Sequence, residues 1–136
     1  MQTQHTSFSV RVYYEDTDAG GIVYYANYLK FLERARTEWL RSFGIEQHSL
    51  LEQSVGFVVK RVEMDNIAPA LFDDLLQISS QVIELKRASM MFQQTITNSD
   101  GNRLVSALIR VACVDLKKMK PIAIPEFILG EISRVI

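Results

Sequence analysis

The pattern that most constrains the fold is one long amphipathic helix followed only by strand-like segments. Apolar side chains recur at i, i+3, i+4 and i+7 spacing from about Tyr25 to Phe43, and Gly44 then supplies a typical helix stop. The apolar positions are Tyr28, Phe31, Leu32, Ala35, Trp39 and Phe43. Such a wide aromatic face predicts a helix that is buried along most of its length.

Strand patterns flank this helix on both sides. Alternating apolar residues predict one strand before it and four after it, and Asp100-Gly101 predicts a hairpin turn. The predicted strands span residues 8–14, 55–64, 75–85, 89–98 and 104–115, and short helices are expected over 46–53 and 126–134. One buried helix with five strands is an α+β pattern. An antiparallel sheet wrapped around the helix explains this burial better than separate layers do.

Composition limits the classes of protein that the chain can belong to. Its 136 residues are 48% hydrophobic and 23% charged, which predicts a single domain over residues 1–136. A net charge of −1 does not support nucleic-acid binding. We expect neither a membrane span nor a signal peptide, and the single cysteine favours a cytoplasmic protein. That residue, Cys113, is expected to be a buried core residue rather than a nucleophile.

The residues suited to catalysis are concentrated between Tyr14 and Tyr28. Three carboxylates, two adjacent glycines and four tyrosines occur there, where a strand pattern meets the start of the helix. Glycines allow unusual backbone conformations, and a helix N-terminus presents N–H groups without partners. A carboxylate beside such donors can attack a polarised carbonyl or activate water against it.

Other reaction classes lack their usual motifs. There is no Gly-x-Ser-x-Gly elbow, phosphate-binding glycine loop or dinucleotide glycine pattern. The histidines are not spaced as zinc ligands: His5 falls in a polar N-terminus, residues 1–7, that we expect to be frayed, and His48 is expected on the surface. Carboxylates therefore remain as the candidate catalytic groups.

The segment from Asp16 to Tyr28 reads Asp-x-Asp-x-x-Gly-Ile-Val-Tyr-Tyr-x-Asn-Tyr. It resembles the signature of the hotdog-fold acyl-CoA thioesterases of the 4-hydroxybenzoyl-CoA thioesterase type, and especially the bacterial Tol-Pal-associated branch. The resemblance continues through residues 33–36, 68–70 and 118–121. It implies a five-stranded antiparallel sheet wrapped around one long central helix, assembly as a homodimer or homotetramer, and acyl-CoA hydrolysis without a cofactor.

The same resemblance implies specific roles around the catalytic loop. Asp18 would be the catalytic carboxylate, acting either as nucleophile or as general base. From the residues themselves, the backbone N–H near Tyr25 is the candidate oxyanion donor because it opens the predicted helix, and Gly21 would permit close approach of the substrate. Many relatives carry histidine at the position of Tyr25, and tyrosine does not titrate near neutral pH.

The nucleotide of coenzyme A requires cationic partners for its phosphates. The resemblance assigns this role to the segment that contains Lys86, Arg87 and Ser89, with Lys118 adding charge from a neighbouring loop or subunit. From the residues alone, Lys86-Arg87 is equally consistent with a charged surface turn.

Three other carboxylates, Glu15, Asp16 and Glu33, compete with Asp18. We expect Asp16 to bind loop N–H groups, and Glu33 to form a structural ion pair with Arg36 three residues later. Two further functions remain open: a non-catalytic module that binds acyl-CoA or acyl-carrier protein, and an interaction partner of envelope machinery.

Overall fold

The computed structural model describes residues 6–136. The interpretation of residues 1–5, including His5, therefore lies outside the described part of the chain. Thr6 and Ser7 already belong to the first strand, so the predicted fraying of these two residues is wrong. They pair with Ser80 and Ser79 of a neighbouring strand, and this pairing orders them.

Residues 6–136 form a six-stranded antiparallel sheet and one long helix. The spatial order is β1-β3-β4-β5-β2, and the two-residue strand β6 pairs with the end of β5. In chain order the elements are β1 (Thr6–Arg11), a 3₁₀ helix (Tyr14–Asp16), α1 (Asn27–Arg41), α2 (Gln47–Glu52), β2 (Val55–Asn66), β3 (Leu75–Leu85), β4 (Ser89–Thr97), β5 (Arg103–Asp115), β6 (Lys120–Pro121) and α3 (Glu126–Ser133). The predicted α+β arrangement is confirmed.

The core lies between α1 and the inner face of the curled sheet. The predicted apolar face of the helix is buried at every position, and Trp39 is fully buried. Its ring packs against Phe43 at 4.6 Å and Phe92 at 5.3 Å between centroids. Cys113 is buried and unbridged, and burial raises the pKa of its thiol. The prediction that Cys113 is a core residue is confirmed.

Gly44 ends the helical segment as predicted. Its φ of 78° is left-handed, which suits glycine. The Gly44 N–H donates to the Arg41 carbonyl at 2.9 Å, and the Ile45 N–H donates to the Leu40 carbonyl at 3.1 Å. This pair of bonds is the Schellman pattern, which satisfies carbonyls that the end of the helix would leave without donors.

The first strand is shorter than predicted. It ends at Arg11, and Tyr14, the last residue of the predicted strand, is 80% exposed. The chain turns into the 3₁₀ helix instead, where the Asp16 carboxylate accepts the Tyr13 N–H at 2.8 Å. Alternation alone did not reveal this turn, because Tyr14 continues the apolar period by coincidence.

A polar network lies inside the core between α1 and the sheet. Gln94 accepts a bond from Arg36 at 3.1 Å, and its amide donates to the Leu32 carbonyl at 3.0 Å and to the Ser80 hydroxyl at 2.9 Å. Arg36 is buried, and this burial lowers the pKa of its guanidinium, partly opposed by nearby Glu33. No ion pair within residues 6–136 joins Arg36 to Glu33, so that prediction is wrong.

Candidate active site

The loop that contains Asp18 is a tight hairpin. Thr17 and Val23 form an antiparallel bridge, the Asp18 N–H donates to the Ile22 carbonyl, and the Gly21 N–H donates to the Asp18 carbonyl, both at 3.0 Å. Gly21 has a left-handed φ of 76°, and a Cβ there would meet no heavy atom within 4 Å. The backbone conformation therefore explains this glycine, and its predicted role in substrate approach stays a prediction.

The exposed carboxylate of Asp18 has one bound oxygen and one available oxygen. Oδ1 accepts the Gly20 N–H at 2.9 Å, which closes the turn. Within residues 6–136, Oδ2 accepts no hydrogen bond. The hairpin therefore orients the side chain while leaving one oxygen for chemistry.

Asp16 has the structural role expected of it. Its carboxylate holds the Tyr13 N–H, and its carbonyl accepts the Tyr24 N–H and the Asn27 side-chain amide, both at 3.0 Å. These bonds connect the 3₁₀ helix to the first residue of α1. Asp16 thereby fixes the hairpin against the helix.

The start of α1 leaves backbone donors open. The N–H groups of Asn27, Tyr28 and Leu29 donate to carbonyls three residues earlier. The two preceding N–H groups, of Tyr25 and Ala26, find no acceptor among residues 6–136. Unsatisfied donors at the positive end of a helix dipole stabilise negative charge, which is what a thioester carbonyl develops during attack.

These donors lie beside a largely apolar cavity of about 360 Å³. Its walls come from the hairpin, the start of α1 and the segment between β2 and β3, namely Ile22, Val23, Tyr25, Tyr28, Asn66, Ile67, Ala68 and Pro69. Asp18 lies on the same hairpin but does not line the cavity. An apolar cavity with a few polar groups at one edge suits an acyl group.

Three of the four predicted nucleotide-binding residues lie at the tight connection between β3 and β4: Lys86 and Arg87 are in the turn, and Ser89 begins β4. The Lys86 N–H donates to the Ser89 carbonyl at 2.8 Å, and its ammonium lies 3.3 Å from Glu84. Arg110 binds Glu84 at 2.9 Å and the Ser89 hydroxyl at 3.2 Å. The hydrogen bond from Arg110, followed by that from Lys86, lowers the pKa of Glu84.

Arg110 was not identified from the sequence. It is one arginine at an outward position of β5, whose neighbours on that face are Leu108 and Ala112. A lone charge on an otherwise uncharged stretch of a strand was the available signal. Its contacts show that it orders the turn that carries Lys86 and Ser89.

Lys118 lies at the same end of the sheet as the Lys86 turn. It sits in the β5–β6 turn, where Asp115 accepts the Lys117 and Lys118 N–H groups at 2.9 and 3.1 Å. The chain after β6 then returns to the β3–β4 turn, because the Ile124 N–H donates to the Arg87 carbonyl at 2.8 Å. The four predicted nucleotide-binding residues are therefore grouped at one end.

That end is opposite the Asp18 hairpin. The Phe72 N–H donates to the Gly21 carbonyl just before β3 begins, whereas Lys86 follows the end of β3. A strand of 11 residues spans roughly 35 Å. A single chain therefore does not bring Asp18 and Lys86 together.

Glu33 is exposed and remote from the open donors. It lies eight residues beyond Tyr25, about 12 Å along a helix. It lines a separate cavity of about 270 Å³ with Arg36 and Phe57. His48 is exposed, as predicted, and lies 3.3 Å from Glu52.

Residues 6–136 contain neither a cluster of metal-ligating side chains nor a helix suited to span a membrane. In this part of the chain, no three or more side chains of His, Cys, Asp or Glu are grouped as metal ligands would be. Here too, no helix has the length and apolar character needed to cross a bilayer.

Comparisons with known proteins agree with this fold. A family model described as the thioesterase-like superfamily matches residues 12–132. The acyl-CoA thioesterase YbgC of Haemophilus influenzae is 52% identical over 121 residues, 88% of each chain. The acyl-CoA thioester hydrolase YbgC of Escherichia coli O6:H1 is 44% identical over 134 residues, covering 98% of this chain and 100% of its own.

A solved structure is similar as well. A probable thioesterase from Bartonella henselae superposes with a TM-score of 0.83 at 35% identity, covering 89% of this chain and 99% of that one. The family resemblance of the Asp16–Tyr28 segment is thus confirmed over nearly the whole sequence. The chain belongs to the thioesterase-like superfamily, and its curled sheet around α1 is the hotdog fold.

Proposed function

We propose that this protein hydrolyses an acyl-CoA thioester to the free acid and coenzyme A. The observation that carries the proposal is the pair of open N–H groups at Tyr25 and Ala26, which lie beside an apolar cavity and the Asp18 hairpin. The names of relatives at 44–52% identity support the same activity. The acyl chain would occupy the cavity, and the carbonyl would face the helix N-terminus.

In this mechanism the Tyr25 N–H donates to the thioester oxygen as negative charge develops there. Asp18 either attacks the carbonyl carbon or removes a proton from the attacking water. In both routes the C–S bond breaks and the thiolate leaves with its electron pair. In the nucleophilic route this step leaves an anhydride between the acyl group and Asp18, and water then cleaves it, which releases the free acid and restores the carboxylate. Thiolate is a good leaving group, so a carboxylate and oriented N–H donors suffice.

Binding of the nucleotide would use the opposite end of the sheet. Lys86, Arg87 and Lys118 offer cationic groups for phosphates, and the Ser89 hydroxyl can donate a further bond. Lys86 now pairs with Glu84 at 3.3 Å, so phosphate binding would replace that surface ion pair. Such exposed pairs are weak, and the exchange costs little.

These two ends would meet in a homodimer. Within a single chain β1 and β2 are the edge strands, and β2 exposes Val58, Val59 and Val62. An exposed apolar edge requires cover, and a two-fold axis pairs identical edges antiparallel. In such pairing the partner's strands run in the opposite direction. This would place the partner's Lys86 turn near the Asp18 hairpin. We therefore propose a composite site in an obligate dimer.

One observation favours a second function, the non-catalytic binding of acyl-CoA or acyl-carrier protein. The Oδ1 atom of Asp18 closes a turn, and this bond alone explains an aspartate at that position. The binding module would keep the cavity and the cationic turn but would release no thiol.

The deciding experiment is a free-thiol assay of the purified protein on a panel of acyl-CoA substrates, with the Asp18→Asn variant alongside. Asparagine retains Oδ1 as an acceptor for the Gly20 N–H, so the hairpin should persist. We expect turnover to fall on the order of 10³-fold, or ~4 kcal/mol of barrier, because the negatively charged oxygen is lost.

The matched control is Glu33→Gln, which neutralises the other candidate carboxylate and should leave turnover near normal. Near-normal turnover of Asp18→Asn with loss in Glu33→Gln would show that the assignment is wrong. Absence of thiol release from the unmodified protein on every substrate, with retained binding, would favour the binding module.

A further inference from the structure

The hydroxyl of Tyr28 is an unusual feature of the buried face of α1. Tyr28 is only 2% exposed, and its ring packs edge-on against Phe31. Burial of an aromatic ring requires no hydroxyl at this position. The hydroxyl accepts the N–H of Ala70 at 3.0 Å, across 42 residues of sequence.

Ala70 links this hydroxyl to the catalytic hairpin. Ala70 is fully buried, and its carbonyl accepts the Val23 N–H at 2.9 Å. The next two residues extend the contact, since Leu71 bridges Ile22 and the Phe72 N–H donates to the Gly21 carbonyl at 3.1 Å. A continuous path of hydrogen bonds thus runs from the helix through Ala70 to the hairpin.

The path ends two residues before the open donor. Val23 is buried, and its N–H is held by Ala70, so the direction of the chain that enters α1 is set there. One residue intervenes, Tyr24, whose N–H donates to the Asp16 carbonyl at 3.0 Å, and the Tyr25 N–H that comes next has no acceptor of its own among residues 6–136. Its orientation therefore depends on how firmly Val23 and Tyr24 are held.

The proton of the Tyr28 hydroxyl is also available. Within residues 6–136 no acceptor binds it, and Tyr28 lines the 360 Å³ cavity together with Val23 and Tyr25. Burial raises the pKa of this phenol, so it remains protonated at neutral pH. The hydroxyl can hold Ala70 at all working pH values.

We infer that Tyr28 is a positioning residue for thioester hydrolysis: through Ala70 and Val23 its hydroxyl sets the direction of the Tyr25 N–H. The inference rests on the proposed function. Loss of the Tyr28 hydroxyl should weaken stabilisation of the transition state, because the oxyanion donor matters most when charge develops on the carbonyl. Coenzyme A binding uses the other end of the sheet and should be unaffected.

The test is Tyr28→Phe, which removes one oxygen and keeps the ring. We expect kcat to fall about 10- to 100-fold while KM stays within about twofold, because a small misplacement of the donor weakens transition-state binding. Tyr13→Phe is the matched control, since it removes a hydroxyl from an exposed tyrosine and should leave both constants unchanged. A second variant, with 4-fluorophenylalanine at position 28, fills the space of the hydroxyl and should show the same loss.

Amide hydrogen exchange supplies a readout that does not depend on turnover. In Tyr28→Phe the Val23 amide should exchange at least tenfold faster, while the amides of Ile78 and Ile96 in the central strands should not change. Unchanged kcat in both variants, or unchanged exchange at Val23, would overturn the inference. If the fraction of unfolded Tyr28→Phe protein alone accounted for the loss of kcat, the inference would also be overturned.

The two proposals fail in different ways. A protein that hydrolyses no thioester contradicts the proposed function, and the exchange at Val23 then still decides whether Tyr28 positions the hairpin. A protein that hydrolyses acyl-CoA equally well with phenylalanine at position 28 contradicts the inference alone.

Discussion

Asp18 combines a turn-closing contact with a chemically available oxygen, and Gly21 makes the arrangement possible. Oδ1 accepts the Gly20 N–H. The left-handed φ of Gly21 lets the chain reverse its direction within the four residues from Asp18 to Gly21, so that it runs back toward Val23. Any residue with a Cβ meets a steric penalty in this backbone conformation, even where the surrounding space is open. Local backbone geometry therefore determines where the catalytic candidate points.

At this position we expect Gly21→Ala to lower the free energy of unfolding by about 1–2 kcal/mol, measured by urea denaturation, because the left-handed φ is retained at a cost. Gly130→Ala is the matched control: it lies in α3, where alanine also meets no heavy atom within 4 Å and favours the helix. It should be neutral or stabilising by up to about 1 kcal/mol. Equal effects of the two substitutions would contradict the backbone explanation.

Among the elements, α1 is anchored to the sheet by polar as well as apolar contacts. Gln94 of β4 binds Arg36, the Leu32 carbonyl and Ser80 in one buried network. The bond to the Leu32 carbonyl sets the height of the helix over the sheet. The open donors of Tyr25 and Ala26 lie just before the first turn of α1, so this anchor also places the candidate oxyanion site.

Gln94→Leu should lower the free energy of unfolding by about 2–4 kcal/mol, because it leaves the buried Arg36 without its acceptor. Gln93→Leu is the control on the opposite face of the same strand. Gln93 accepts a bond from Gln81 at 2.8 Å and is only partly buried, so its loss should cost about 1 kcal/mol or less. Urea unfolding of both variants measures the difference, and comparable losses would argue against a special role for the network.

For the whole molecule, the distance between its two candidate sites is the decisive property. The Asp18 hairpin and the Lys86 turn lie at opposite ends of β3, and within residues 6–136 each edge strand is paired on one side only. Closing the β2 edge with a second copy would bury the exposed valines. It would also supply each hairpin with a cationic turn from the partner subunit.

We predict that mixing an Asp18→Asn protein with a Lys86→Ala/Arg87→Ala protein restores activity. Each parent should be impaired, the first in kcat and the second in KM for acyl-CoA, while hybrid dimers contain one intact composite site. Thiol release after denaturing and refolding the mixture measures the recovery, and refolding each parent alone is the control. An active monomer by sedimentation would contradict the composite site.

The sequence by itself determined most of the secondary structure and the family. Periodicity predicted β3 at residues 75–85, as observed, and it identified the buried face of α1, since both patterns report local burial. The Asp16–Tyr28 motif identified the thioesterase family and singled out Asp18. The strand bounds, the buried helix face and the motif each depend on residues that are close together in the sequence. A short stretch of sequence is therefore enough to predict them.

Only the tertiary structure decided which distant groups meet. Arg36 pairs with Gln94, 58 residues away, rather than with Glu33 on its own helix, and Tyr28 binds Ala70, 42 residues away. Likewise, β3 places Lys86 far from Asp18 although both belong to one proposed site. Periodicity shows that a side chain faces inward, but the acceptor that it finds depends on how the sheet curls around the helix.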